Sequence, residues 1–371
     1  MSGRPLRNGA STVMARLAEP TTPYPTRLAV ISDPHVSTRA SGSAKQFDRT
    51  ESFLKTTIDD INSRDVDAVV STGDLTKDGA PWDFERLDEL LAELTAPFFA
   101  VPGNHDVPKT FDDHRSASRG RFVECYTPGS LPYHRRIGGV DLFGLDSAWT
   151  PDGDLRESHD GRITPAQLGW LDSRVAAADC PVVIAHHNLP PTASDLAAYG
   201  EATGVDMSGV PIMRNGEQVV EGLEAAGVPL ALTGHIHLPG VARSDGPAAS
   251  TADPSTATAT ADAVGVTDGG TGSRSRLTEV TAPATCTFPQ AYLLVDINSR
   301  GTTVRYVPIA TPAEAVESYR ARNNGTEIDR GQAVLGSIRT AQFPLIEEWV
   351  PPVASATWST PSPLSGPPTS D

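Results

Sequence analysis

Five short apolar runs in this chain each end in residues able to hold a metal ion or move a proton. Leu28-Ala29-Val30-Ile31 leads into Ser32-Asp33-Pro34-His35, and Ala68-Val69-Val70-Ser71-Thr72 leads into Gly73-Asp74. Pro97-Phe98-Phe99-Ala100-Val101 leads into Pro102-Gly103-Asn104-His105-Asp106. Val182-Val183-Ile184-Ala185 precedes His186-His187, and Pro229-Leu230-Ala231-Leu232-Thr233 precedes Gly234-His235-Ile236-His237. Carboxylate, amide and imidazole groups are ligands for divalent cations, and carboxylate and imidazole also serve in acid–base chemistry. One such ending is an ordinary polar turn. A hydrophobic core has no use for five of them, because unpaired buried polar groups are costly. A shared cluster at one edge of a sheet accounts for all five together.

The elements that must position this cluster are legible in the spacing of apolar residues. Phe53, Leu54, Thr57, Ile58 and Ile61 recur at helical spacing and predict a helix over 47–63; Phe84, Leu87, Leu90, Leu91 and Leu94 predict another over 83–94. The first three runs with these helices read β-α-β-α-β, the pattern of a largely parallel sheet with helices packed on it. In such sheets ligands gather beyond the carboxyl ends of the strands. Residues 107–136, with His114, Arg115, Arg119 and Arg121, lack periodicity and are expected as a loop or small helical cap over the site. Residues 139–145 read as a further strand. Thr164-Pro165 opens a helix, with Thr as cap and Pro in the first turn.

Residues 189–215 are expected as a second substrate loop, and 217–226 as a short helix. Residues 241–285 are dominated by Ser, Thr, Ala, Asp and Gly and read as a flexible low-complexity insertion. Residues 291–297 and 302–309 predict a hairpin, and 286–322 is expected to complete a second sheet that also takes the strand at 139–145. The domain layout is thus a loose tail over 1–26, a core over 27–240, the insertion over 241–285, the C-terminal strands, and a Pro/Ser-rich tail over 350–371.

Together, Asp33-x-His35, Gly73-Asp74-x4-Gly79, Gly103-Asn104-His105-Asp106, His186 and Gly234-His235-x-His237 resemble, in order and spacing, the motif set of the calcineurin-like metallophosphoesterase superfamily. The likeness is greatest to its 3',5'-cyclic-nucleotide phosphodiesterase-like branch. The resemblance implies an α/β fold, a four-layer αββα sandwich of two mixed sheets flanked by helices. It implies a dinuclear site with Asp33, His35 and His237 on one metal, Asn104, His186 and His235 on the other, and Asp74 bridging. Mixed oxygen and imidazole donors suit Mn, Fe or Zn. Only Asp33 and Asp74 are anionic, so two dications would leave the site about two charges positive.

The implied reaction is hydrolysis of a phosphodiester, such as a cyclic nucleotide, by a bridging hydroxide. Phosphomonoester or nucleic-acid cleavage within the same superfamily is the alternative, and a metal-free protein-binding scaffold is the alternative of another class. All seven ligand positions are filled, which argues against the scaffold. His105 is expected to act on the leaving alkoxide as general acid or to hydrogen-bond a phosphate oxygen, with Asn104 beside it against the substrate. Asp106 either orients His105 or stabilises the turn, and Arg115 is a candidate for holding the substrate phosphate. His186 is taken as the ligand ahead of His187, and His235 and His237 are expected to face one side at strand spacing i, i+2. Two departures stand out. Lys77 occupies the place of the tyrosine of purple acid phosphatases, so no tyrosinate-bound ferric ion is expected. Asn188 follows the doubled His, where the family commonly has Pro.

Composition limits the partners. The chain has 46 acidic and 30 basic residues in 371, a net charge of -16, and so lacks the basic surface of a nucleic-acid binder. Its three cysteines are far apart and form neither a disulfide framework nor a zinc ribbon. No apolar run approaches the roughly 18 residues of a membrane span, and the N-terminus has no apolar signal region. A cytoplasmic enzyme acting on a small phosphate ester, without membrane or nucleic-acid partners, is the expectation.

Overall fold

The computed structural model describes residues 11–109, 112–149, 159–207, 209–244 and 276–349. The first half of the chain forms β1 (Thr12–Leu17), β2 (Thr26–Ile31), α1 (Thr50–Asn62), β3 (Ala68–Ser71), α2 (Pro81–Leu91), β4 (Phe98–Ala100), α3 (Arg119–Tyr126), β5 (Tyr133–Ile137), β6 (Val140–Gly144) and α4 (Pro165–Val175). The second half forms β7 (Pro181–Ile184), α5 (Pro190–Thr203), α6 (Gly216–Ala225), β8 (Leu230–Thr233), β9 (Gly240–Arg243), β10 (Thr278–Thr281), β11 (Ala291–Asn298), β12 (Gly301–Pro308), α7 (Pro312–Asn323), α8 (Glu327–Ala341) and β13 (Ile346–Glu347). The strands make two mixed sheets, ordered β13-β1-β12-β11-β2-β3-β4 and β5-β6-β7-β8-β10-β9. Within them β2, β3 and β4 are parallel, as are β6, β7, β8 and β10.

Alternation along the strands builds the layers. Leu28 and Val30 of β2, Val182 and Ile184 of β7, and Leu230 and Leu232 of β8 point into one core between the sheets. Their neighbours face outward: Ala29 and Ile31 pack with Phe53, Ile58, Phe84 and Leu87 of α1 and α2. Val183 and Ala231 pack with Leu171, Val175, Val219 and Leu223 of α4 and α6. Helix, sheet, sheet, helix is the four-layer order that the motifs imply. Among the described residues no helix is long and apolar enough to cross a membrane.

Five sequence expectations are corrected. Residues 12–17, assigned to a loose tail, form β1, which pairs with β12 and buries Met14, Ala15 and Leu17. The β11–β12 hairpin joins the first sheet, not the second, because β2 has an open edge opposite β3 and β11 matches its alternation: Leu293 lies against Val30 and Val295 against Leu28. Residues 189–215 are not an open loop; Pro190 and Pro191 start α5 from positions where a missing N–H costs nothing. The ends of the 241–285 segment are strands, β10 lying between β8 and β9. Residues 245–275 of that segment, and the end from 350, lie outside the described residues. The 107–136 segment contributes α3, whose Phe122 and Tyr126 pack on Phe84 rather than over the site. Asn188 is buried and donates to Thr233, Thr281 and Glu279, so β10 supplies the order that a proline would otherwise give this loop.

The C-terminal helices grip the loop after β8. Arg322 of α7 donates to the carbonyls of His237 and Phe288 and to the Gln332 side chain. Gln332 of α8 donates to the carbonyl of Ile236 at 3.2 Å, and Arg339 to that of Pro239 at 3.0 Å. Arg322 is only 1% exposed, and burial pushes its pKa down to about 10, leaving it a cation at neutral pH. Removing its donors strands buried carbonyls. Arg322→Met is therefore expected to lower unfolding free energy by about 2–4 kcal/mol, whereas Arg320→Met on the exposed face of α7 should stay within about 0.5 kcal/mol. Urea unfolding followed by circular dichroism measures both, and equal midpoints for the two variants would remove the clamp.

Candidate metal centre

The strands end where the expected ligands begin, and the backbone there is unusual. Asp33, His35, Asp74, His235 and His237 all have positive φ, at 49°, 43°, 53°, 66° and 57°. Side chains rarely adopt this region, at a cost of about 1–2 kcal/mol each, and such strain clusters at functional sites. It persists because neighbouring loops pin one another: Asp33 N donates to Gly73 O, His35 N to Asp74 O, and Gly234 N to His186 O, each at 3.0 Å. His235 and His237 thus follow the end of β8 at Thr233 as left-handed turn residues, and the expected strand spacing does not apply. Gly73 and Gly103 sit back to back: a Cβ on Gly73 would lie 2.6 Å from Gly103 N, and one on Gly103 would fall on the Asp74 carboxylate.

Two groups of side chains converge. In the first, His237 Nε2 is 3.2 Å from His35 Nε2 and 3.1 Å from Asp33 Oδ1, and His35 Nε2 is 3.4 Å from Asp74 Oδ2. In the second, His186 Nε2 is 3.0 Å from Asn104 Oδ1, 3.1 Å from His235 Nδ1 and 3.4 Å from Asp74 Oδ1. Asp74 turns one oxygen to each group. His186 Nδ1 lies 2.9 Å from the carbonyl of Thr72, which only accepts, so the proton is on Nδ1 and Nε2 is a lone pair. That lone pair faces two further acceptors, Asn104 Oδ1 and Asp74 Oδ1. Asp33 Oδ1, buried, has no well-aligned donor. Acceptors crowding on acceptors are the donor set of a cation, and oxygen mixed with imidazole fits a divalent ion of the Mn, Fe or Zn kind.

The charges agree. Burial, followed by the Lys45 ammonium for His35 and by the surrounding imidazoles for His235, drives both well below the ordinary imidazole range. Burial lowers His186 too, and takes His237 down to about 4 against the pull of Asp33. All four rings are therefore neutral at pH 7, the form that ligates metal. Burial pushes Asp74 well up, reinforced by the charges of Asp33 and Asp106. Burial acts on Asp33 in the same sense, but His237, His186 and the Ser32 hydroxyl outweigh it and hold Asp33 low.

The remaining expected residues divide. His187 is near His186 and His235, with its ring centroids 4.9 and 4.7 Å from theirs, but its Nδ1 is engaged with Ser147 Oγ at 2.8 Å. Asp106 does not orient His105. Its carboxylate accepts from the backbone N–H groups of Leu75, Thr76 and Gly103 and from the Thr76 hydroxyl, tying the β3 and β4 loops together. His105 is set instead by the Lys77 carbonyl, 2.6 Å from Nδ1. Arg115 is exposed and does not line the cavity. Arg119 and Arg121 are engaged with Asp146 and Asp88.

A cavity of about 190 Å³ opens over Asp74, Asn104, His235 and His237. His105 lines it, as do residues that sequence reasoning missed: Lys45, His159, and Ile328, Asp329 and Gln332 of α8. Lys45 sits in a Ser/Gly-rich stretch with no spacing to mark it, and the α8 residues lie some ninety positions beyond the last motif. Only the rarity of lysine, four among 30 basic residues, could have drawn attention to Lys45.

Residues 26–239 match the family model described as calcineurin-like phosphoesterase. A probable cyclic nucleotide phosphodiesterase of Synechococcus is 30% identical over 178 residues, 48% of this chain and 60% of that protein. A cAMP/cGMP dual specificity phosphodiesterase of Mycobacterium tuberculosis is 28% identical over 220 residues, 56% of this chain and 60% of the relative. The chain thus spans about three fifths of the length of these curated relatives. Among solved structures, a dimetal phosphatase from Danio rerio superposes with a TM-score of 0.54 at 13% identity, covering 77% of this chain and 96% of that one, which is a likeness of fold. The matched segment carries every one of the converging side chains and more than half of the protein, and the chain is a member of the calcineurin-like phosphoesterase family.

Proposed function

We propose that this hydrolase cleaves phosphodiesters of the cyclic-nucleotide kind at a dinuclear divalent centre. Asp33, His35 and His237 would hold one cation, Asn104, His186 and His235 the other, and Asp74 both. The observation that carries this reading is the lone pair of His186 Nε2, fixed by the Thr72 carbonyl and directed at Asn104 Oδ1 and Asp74 Oδ1. The names of the two relatives support the substrate class.

When bound, the two cations supply Lewis acidity and a nucleophile at neutral pH. The chain's own residues do the rest. Asn104 gives an oxygen without adding negative charge, so the ligand set carries only the charges of Asp33 and Asp74. A loaded site is then about two charges positive and draws in a phosphate despite the acidic chain. The backbone N–H of His105 donates to Asp74 Oδ1 at 2.8 Å, holding the shared carboxylate in place while the ring faces the cavity. Ile328, Asp329 and Gln332 of α8 form part of the cavity wall.

A panel of 3',5'-cyclic nucleotides, bis-p-nitrophenyl phosphate and p-nitrophenyl phosphate, assayed with Mn, Fe and Zn, tests the reading. Diester turnover is expected to exceed monoester turnover and to vanish in chelator-treated protein until metal is restored. A preference for the monoester would overturn the substrate class. Asp74→Ala should bind less metal and lose at least about 100-fold in turnover, because it removes a ligand from both halves of the site. Asn104→Ala should lose about tenfold or more while keeping the Asp33 half intact. Metal content by mass spectrometry and kcat for the diester measure both, and full occupancy with full activity in Asp74→Ala would end the shared-ligand assignment.

A further inference from the structure

Lys45 extends into the cavity over the ligand groups, and Nζ lies 3.2 Å from His105 Nε2. No other side-chain partner holds this ammonium among the described residues, and no carboxylate is within ion-pair distance of it; Asp74, Asp33 and Asp329 act on it only from farther away. The direction of the His105 contact is fixed. His105 Nδ1 is 2.6 Å from the Lys77 carbonyl, which accepts, so Nδ1 carries the proton and Nε2 takes a hydrogen bond from Lys45. In that tautomer His105 presents no donor to an incoming phosphoryl oxygen. Lys45 keeps two N–H groups beyond the one that His105 occupies. A half-buried ammonium with no carboxylate in contact is placed to take an incoming anion.

We propose that Lys45 is a substrate-binding residue whose ammonium, steadied by His105, donates to a non-bridging oxygen of the phosphoryl group. The proposal rests on the phosphodiesterase reading above and adds a charged contact to it. His105 is then the positioning residue for Lys45. Lysine fits the place, although arginine makes up most of the basic residues here: the three N–H groups of a compact ammonium can serve one ring nitrogen and one oxygen in different directions.

The test uses the full chain loaded with Mn, with inorganic phosphate as the probe and isothermal titration as the readout, beside metal content and steady-state kinetics on bis-p-nitrophenyl phosphate. Wild type is measured first. Failure to load two metal equivalents or to cleave the diester would sink the function proposed above before any variant is read. Lys45→Met is expected to load metal as wild type does, to bind phosphate about tenfold or more weakly, and to lose kcat/KM in proportion. Lys45→Arg, which keeps the charge, should recover phosphate binding to within about threefold of wild type. Lys45→Gln replaces Lys45→Met if the latter does not fold. Phosphate affinity within about twofold of wild type in a metal-loaded, charge-free variant would overturn the proposal while leaving the diesterase reading standing.

Discussion

The carboxylate of Asp74 has to face two clusters of imidazole and oxygen at once, one through each oxygen, and the packing around it follows from that demand. The β3 and β4 loops must approach until Gly73 and Gly103 touch, which leaves no room for a side chain on either. Asp106 then stitches the same two loops through their backbone N–H groups. The left-handed residues on either side are a cost that only an over-determined loop network can sustain. The two sheets, with a shared apolar core beneath, supply the rigid base that makes such precision possible.

Two histidines in the site share one device and put it to different ends. His186 and His105 each place Nδ1 against a backbone carbonyl, so each turns a bare Nε2 outward. Around His186 that lone pair meets other acceptors, an arrangement suited to a cation. Around His105 it meets the ammonium of Lys45, an arrangement suited to holding a donor. The identity of the neighbour, not of the residue, sets the chemistry. Burial keeps both rings neutral, so neither role depends on the ring being charged at neutral pH.

Most of the catalytic edge was legible because it is local in sequence. Each proposed ligand sits directly after an apolar run, and parallel strands deliver their ends to one side of a sheet. The helices of the first sheet followed from spacing alone, and Thr164 and Pro165 open their helix as capping chemistry requires, with Thr164 Oγ1 accepting from Gln167 N. What escaped depends on distant pairing. Nothing in residues 12–17 announces that β12 will receive them, and nothing in 291–309 says which sheet has an open edge. Left-handed φ at His235 and His237 was invisible because neither residue type advertises it. Of the two roles open to Asp106, stabilising the turn is the one the structure shows; adjacency to His105 in the chain does not make the two side chains neighbours.

The grip of Arg322, Gln332 and Arg339 on the carbonyls of residues 236, 237 and 239 carries one more implication. The recognisable segment of the family ends at residue 239, yet the loop that carries its last two proposed ligands is held from α7 and α8, well downstream. The inherited motif and the self-sufficient unit are therefore different lengths of polypeptide. Drift in the C-terminal helices could retune the catalytic loop without altering a single signature residue, a route to divergence that motif comparison alone would never register.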